Sequence, residues 1–213
     1  MTSPSDLWPP FGLVVRSGDL TLSTITDDDL PALVDLVRSG IHPEDTMPFA
    51  IPWTRDPDIA RSFARFHWGV RASSSPRDFR VDLAVRRSGE LVGAQGFSTK
   101  DYAVTRTAET GSWLASRFQG QGIGTRMRQA VCAFAFDELG AVEVTSGAFT
   151  DNPASLAVSR KVGYRPNGRV RLKRRDGEVA INQRLVLTPE TFVRGEPIRV
   201  HGAAALREFL GLH

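Results

Sequence analysis

Gln119-Gly120-Gln121-Gly122-Ile123-Gly124-Thr125 is the stretch on which the fold of this chain turns. Residues 109–114 before it read as a strand. After it, Ile123, Met127, Ala130, Val131 and Phe134 fall on one face of a helix predicted over 122–139, with Gly140 beyond its end. Glycines let the backbone turn tightly and let a phosphate approach without a Cβ in the way. The helix start adds unpaired N–H groups and a partial positive charge, so the segment predicts an anion site. Spacing decides which anion. A dinucleotide fingerprint, GxGxxG, would need glycine where the chain has Thr125 or, in the other register, Met127. A P-loop needs a Gly-Lys pair, and the chain has none. What remains is Q-x-x-G-x-G, from Gln119 through Gly122 to Gly124. Taken alone, it could also be a glycine-rich helix start that binds nothing.

A second motif follows after one more strand: Asp151-Asn152-Pro153-Ala154-Ser155-Leu156-Ala157-Val158-Ser159-Arg160-Lys161-Val162-Gly163-Tyr164. The order and separation of the two motifs resemble the GNAT superfamily of N-acyltransferases. Glu109-Thr110-Gly111-Ser112-Trp113-Leu114 is similar to the fourth strand of its RimJ/RimL-like, ribosomal-protein N-acetyltransferase branch. The resemblance covers about residues 19–187 and is strongest over 109–168. It implies an α+β fold: one mixed, mostly antiparallel sheet flanked by helices and splayed between its fourth and fifth strands, here 109–114 and 142–146. Pantetheine amides would pair with strand backbone in that gap.

The same resemblance assigns the site residues. Trp113, Leu114 and Ala115 would supply backbone partners for pantetheine. Gln119, Gly120, Gln121, Gly122, Ile123, Gly124 and Thr125 would form the pyrophosphate loop, with Arg117 and Arg126 as further phosphate contacts or plain surface residues. Asn152 would contact the pantetheine arm, cap its helix, or do both. The implied chemistry is direct attack of an amine on a thioester in a ternary complex. Ser155 is the first choice for protonating the leaving thiolate and Tyr164 the second; a helix hydroxyl and a core ring are their plainer readings. Glu109 or Asp101 could be the base, or only a solvated strand end. The donor would be acetyl-CoA or succinyl-CoA, because MPFAIPWT, GSWL and DNPASLAVSR also resemble a branch that uses the latter. A succinyl carboxylate would want an extra cation near the thioester, and the sequence does not place one. The acceptor would be a primary amine: a protein N-terminus, a lysine, an aminoglycoside or another small molecule.

The rest of the chain is consistent with one domain, 19–187, between an arm, 1–18, and a C-terminal extension, 188–213. Leu20 and Leu22 open a strand. Thr26 and Asp29 form a capping box before Leu30, Leu33, Val34 and Val37. A loop over 41–54 carries Met47, Phe49, Ile51 and Trp53; it would wall the acceptor site, cover the core, or make a homodimer contact. Pro57 opens a second helix whose buried face is predicted as Ile59, Phe63, Phe66 and Val70. Residues 81–86 and 90–98 pair through Ser88-Gly89, and 168–174 and 179–187 through a turn at Asp176-Gly177. Leu206, Phe209 and Leu210 predict a last helix.

Composition narrows the class. The chain has 213 residues, 41% hydrophobic and 24% charged, which suits a globular protein. No run approaches the roughly 20 apolar residues of a membrane span, and no signal-peptide pattern opens the chain, so a cytoplasmic protein without a membrane partner is expected. Cys132 is the sole cysteine, which excludes an intrachain disulfide. His42, His67, His201 and His213 have no metal-ligand spacing, and no metal is expected. A net charge of +3 suits an anionic ligand, and Arg169, Arg171, Lys173 and Arg175 lack interleaved aromatics, so nucleic acid is not expected. The runner-up function is an inactive acyl-CoA-binding regulatory protein that keeps the glycine loop without the chemistry.

Overall fold

A computed structural model describes residues 1–175 and 177–212. Asp176, in the predicted Asp-Gly turn, and His213 therefore lie outside the described residues. The strands are β1 (Val14–Ser17), β2 (Leu20–Thr24), β3 (Asp78–Arg87), β4 (Glu90–Lys100), β5 (Thr107–Leu114), β6 (Glu143–Phe149), β7 (Arg165–Arg175), β8 (Glu178–Leu187) and β9 (Ile198–His201). Among the described residues these nine form one sheet, in the order β7-β8-β6-β5-β4-β3-β2-β1-β9. Every neighbouring pair is antiparallel except β5 and β6, which run parallel. The α+β sheet expected from the sequence is the one observed.

The helices are α1 (Pro4–Leu7), α2 (Leu30–Arg38), α3 (Ile59–Ser73), α4 (Tyr102–Thr105), α5 (Ile123–Ala133), α6 (Pro153–Val162) and α7 (Ala203–Phe209). The α5 and α7 side packs Met127, Val131, Leu206 and Leu210 against Phe79, Val81, Leu83 and Phe97 of the sheet. The opposite face is covered by α2 and α3, whose Leu33, Val37, Ile59 and Phe63 meet Ala84 and Ala94. Burying such side chains on both faces supplies the main drive for folding. The predicted capping box forms: the Thr26 N–H donates to Asp29 Oδ2 at 2.8 Å. Asp29 also holds Arg86 of β3, which ties the start of α2 to the sheet.

Three details depart from the sequence reading. Residues 14–17, expected within a loose arm, form β1, which pairs with both β2 and β9. Four-residue strands are too short to show an alternation of their own. On α3, Ile59 and Phe63 are buried as predicted, but His67 takes the next inward place and Phe66 is exposed. The helix predicted over 122–139 passes from α5 into a single π turn, Phe134–Glu138, before Gly140.

The backbone after α6 has little freedom. Gly163 adopts φ +103°, and a Cβ there would collide with the carbonyl oxygen of Thr191. Gly163→Ala is therefore expected to lower stability by roughly 2–4 kcal/mol, from left-handed strain plus overpacking. Chemical denaturation of the two proteins would measure it; a change under about 0.5 kcal/mol would show that the 188–193 segment yields freely.

Candidate active site

The site is built by a failure of pairing. β5 and β6 are in register only over Thr107–Glu109 against Glu143–Thr145. Beyond that point β5 runs on to Leu114 and β6 to Phe149, and the two diverge. Side chains seal the closed end. Ser146 Oγ donates to the Thr110 carbonyl at 2.9 Å, and Thr110 Oγ1 lies 3.4 Å from the Thr145 carbonyl. Gly111 and Gly147, one on each arm of the V, are both exposed. An added Cβ on Gly111 would meet nothing within 4 Å. Strand backbone without a partner strand can take up an extended ligand as an added strand.

The glycine loop stands at the open end. Gly120 and Gly122 have φ +73° and +79°, and a Cβ on either would face empty space. Gly122 caps α5, and the N–H groups of Thr125 and Arg126 fold back onto its carbonyl. Among the described residues, the N–H groups of 121–124 are left at the helix end with no carbonyl ahead of them, which is an anion-binding arrangement. Gly124 lies where α5, α6 and β5 meet: its Cβ would sit 3.5 Å from Val158 and 3.6 Å from Leu114. This cradle, and the unpaired strand arms behind it, fit the phosphates and amides of a CoA ester.

The predicted binding residues divide into those that face the cleft and those that support it. Gln119 does not point at the anion site. Its amide donates to the carbonyls of Leu114, at 2.9 Å, and Ile41, at 2.7 Å, clamping the strand end to the 41–54 loop. The Gln121 amide donates to the Arg117 carbonyl and its oxygen accepts from Arg87 at 3.0 Å. The Ala115 N–H is already given to the Val92 carbonyl, so that residue has only its carbonyl to offer. Arg126 is held by Asp19 and, at 3.2 Å, by Glu196, whereas Arg117 lies over the Phe118 ring and reaches the Ser39 hydroxyl at 3.1 Å and Glu90 at 4.0 Å. Of the two arginines, Arg117 is the freer to meet a phosphate.

The predicted chemical residues are not all in one place. Asn152 Oδ1 accepts the Ser155 N–H at 3.1 Å, so it caps α6 and fixes the turn that carries the half-buried Ser155. Tyr164 is enclosed in the core. Its hydroxyl bonds Thr110 Oγ1 at 2.9 Å and Cys132 Sγ at 3.4 Å, and burial holds its pKa well above the usual phenol value. That setting favours packing over proton donation. Burial likewise pushes the Cys132 thiol up to about 11, which leaves no thiolate to act as a nucleophile. Glu109 is exposed at the closed end of the V, 3.7 Å from Arg184. Asp101 lies in the turn between β4 and β5, behind that closed end.

The strand alternation puts Glu109, Gly111 and Trp113 on the α2–α3 face. There Trp53 from the 41–54 loop packs 6.0 Å from the Trp113 ring and 5.1 Å from Phe49. The loop thus covers core through the buried Ile41 and Met47 and lays its Trp53 ring against Trp113 of β5. Arg128 escaped the sequence reading. It is 4% exposed, and its guanidinium donates to Ser112 on β5 and Ser146 on β6. Its signal was present: 128 lies four residues after Gly124 and three before Val131, on the apolar side of α5. No group of three or more metal-ligating side chains stands together among the described residues, and none of their helices is long and apolar enough to cross a membrane.

A mixed sheet that opens between its two parallel neighbours, with a glycine-capped helix at the opening, is the architecture of the GNAT fold. Comparison with known proteins agrees. The acetyltransferase (GNAT) domain model matches residues 19–165, and the chain belongs to that family. A Bacillus subtilis (strain 168) protein, YdaF, described as a candidate ribosomal N-acetyltransferase, is 32% identical over 91 residues, 43% of this chain. The match spans about half, 49%, of that relative's length. Among solved structures, RimL, the ribosomal L7/L12 α-N-protein acetyltransferase in complex with coenzyme A, superposes with TM-score 0.69 at 19% identity, covering 82% of this chain and 97% of that one. Mycobacterium smegmatis RimJ in complex with CoA-disulfide gives TM-score 0.69 at 20% identity, covering 94% and 95%. These two likenesses concern the fold.

His67 gives the α2–α3 face a pH dependence. Burial, with Arg71 and Arg80 nearby, lowers its pKa to about 4, against the opposing pull of Asp82 3.9 Å away. His67 is therefore neutral at pH 7, and the contact with Asp82 is not an ion pair there. In the unfolded chain it would titrate near 6.5. The unfolded state binds the extra proton first, so stability holds above about pH 6.5 and falls as pH drops toward 4, by roughly 3 kcal/mol at most. Urea melts of wild type and His67→Phe between pH 7 and 4.5 would show it as a flatter profile in the variant. Parallel profiles would mean that His67 is not the titrating group.

Proposed function

We propose that this chain is an N-acyltransferase that moves an acetyl or succinyl group from acyl-CoA to a primary amine within a ternary complex. The observation that carries the reading is the V between β5 and β6 with the glycine-capped start of α5 at its mouth. Bound acyl-CoA would supply the activated thioester. The residues that would hold it are the backbone of Trp113, Leu114 and the Ala115 carbonyl, the N–H groups of 121–124, and Asn152 through its amide nitrogen.

The chain's own groups supply the rest. A backbone N–H of β5, turned into the unpaired gap, is a fixed donor for the oxyanion. Ser155, on the first turns of α6 beside the mouth, is the residue proposed to pass a proton to the departing thiolate. Glu109 is proposed to take the proton of the incoming amine directly or through water; its carboxylate is exposed at the strand edge and within reach of an incoming group. An α-amine, with pKa near 8, needs little base strength, whereas a lysine near 10.4 needs more. The relatives named for ribosomal proteins make a protein N-terminus the acceptor to try first. The catalytic domain in this reading is 19–187, the setting is cytoplasmic, and no metal takes part.

Titration calorimetry with CoA and its esters, with NAD as control, tests the assignment, and CoA species alone are expected to bind. Gly122→Glu places a negative side chain at the phosphate cradle and is expected to abolish that binding in a folded protein. Normal CoA binding by this variant would sink the loop assignment. Ser155→Ala is expected to bind CoA as wild type does and to lose roughly tenfold or more in kcat, the lower end of what positioned proton transfer contributes. Binding without turnover on any amine would instead favour a regulatory acyl-CoA-binding protein.

A further inference from the structure

We propose that Arg128 reads the acyl end of the donor, and that this protein prefers a CoA ester whose acyl group ends in a carboxylate. The inference rests on the acyl-CoA reading above and adds the class of donor. Arg128 is an arginine in the wrong company for a structural ion pair. It lies on the sheet-facing side of α5, 96% removed from solvent by its 4% exposure. Nη2 donates to Ser112 Oγ at 2.8 Å, and Nη1 donates to Ser146 Oγ at 3.1 Å. One hydroxyl belongs to β5 and the other to β6, so the guanidinium bridges the two arms of the V.

The groups around it are neutral. Ser146 is spent on the Thr110 carbonyl, and Thr110 Oγ1 is shared with the Tyr164 hydroxyl. The Tyr164 ring lies 6.0 Å from the guanidinium carbon, and Cys132 sits behind it as a thiol. Among the described residues, Nε of Arg128 finds no acceptor. Among the described residues no carboxylate stands within ion-pair distance of it. Arg86, Arg126 and Arg174, by contrast, each hold an aspartate or glutamate. A buried guanidinium with neutral partners and an idle donor is costly, because it has lost water without gaining a counter-charge. If the chain needed only a clamp between Ser112 and Ser146, a neutral amide would serve.

The position points to the missing partner. The mouth of the V is the glycine loop and its closed end is the Glu109–Thr145 rung; Ser146 follows that rung directly and Ser112 lies further toward the mouth. A donor held by its phosphates at the mouth therefore presents its acyl end toward Arg128. A terminal carboxylate there would meet a planar fork of donors that matches its two oxygens and would satisfy the idle nitrogen. An acetyl group brings no charge and leaves the cation as it was.

The test compares two esters of equal chain length, succinyl-CoA and its neutral counterpart butyryl-CoA, with acetyl-CoA and free CoA alongside. Calorimetric Kd values on the wild-type protein come first, because they do not depend on any variant folding. Succinyl-CoA is expected to bind roughly ten- to a hundredfold more tightly than butyryl-CoA, the range of a charge-assisted pair formed out of water. Arg128→Gln, checked for an unchanged melting profile, is expected to erase that ratio while free CoA still binds. Equal binding of succinyl- and butyryl-CoA by wild type would overturn the inference and leave the acyltransferase reading standing. Equal weakening of all three esters by Arg128→Gln would overturn it too, since Arg128 would then serve the thioester and not the acyl end. If neither CoA nor any ester bound, the acyl-CoA reading itself would fall, and the inference with it.

Discussion

The structure depends on two parallel strands that stop pairing after three residues. In a sheet otherwise antiparallel, β5 and β6 share one short stretch of ladder and then separate. Backbone N–H and C=O groups that end unpaired in a protein interior are expensive unless something meets them. Here the cost is limited because each strand keeps its outer partner: β5 remains bonded to β4 along its length, and β6 to β8. Only the inner edges are open. The divergence is also what gives α5 its place, because the chain leaves β5 at Leu114, turns through the glycines and starts a helix over the gap it has just created.

What keeps the arms apart is a polar wedge. Thr110, Ser112 and Ser146 line the cleft, and Arg128 and Tyr164 lie beneath them with hydroxyl contacts on both sides. Apolar residues in these places could let the arms close on one another; hydroxyls bonded to a guanidinium fix a spacing. The two faces of the sheet then divide the labour. The α5 side is a continuous apolar core that holds the wedge, and the α2–α3 side presents aromatic rings from the 41–54 loop around Trp113.

The glycine loop and the α6 turn were legible in the sequence because local chemistry fixes both. Gly120, Gly122 and Gly163 occupy positive φ that other residues resist, and Asn152 caps through its own side chain. Other parts depend on residues distant in sequence. β9 exists by pairing with β1 across nearly the whole chain, and neither strand is long enough to show a pattern, although β1 also forms a local hairpin with β2. Hydrophobicity ranks Phe66 above His67 as an inward residue of α3, and the structure reverses the two. The imidazole, however, has Asp82 and two aromatic edges to fill its place, while the Phe66 ring lies outside under the Arg80 guanidinium. Tyr164 matched a motif position from which a hydroxyl could reach the cleft, and only the packing shows it turned inward.

Arg128 is the most informative of the residues that pattern reading passed over. Helix periodicity sorts positions into inward and outward and assumes that charge goes out; an inward charge is averaged away by its neighbours Met127, Ala130 and Val131. Yet a charge that breaks the pattern carries more information than five apolar residues that obey it. Stability alone gives no reason to retain it, since a well-packed apolar side chain in a buried ionic position is often as stable or more so. Its partners, one from each arm of the cleft, show that the fold spends its hydroxyls to keep a cation where the strands part. Local departures from folding rules concentrate where a protein meets its ligands. In this chain the departure lies in the same gap that the strand divergence opens, so the backbone and the buried charge point to one site.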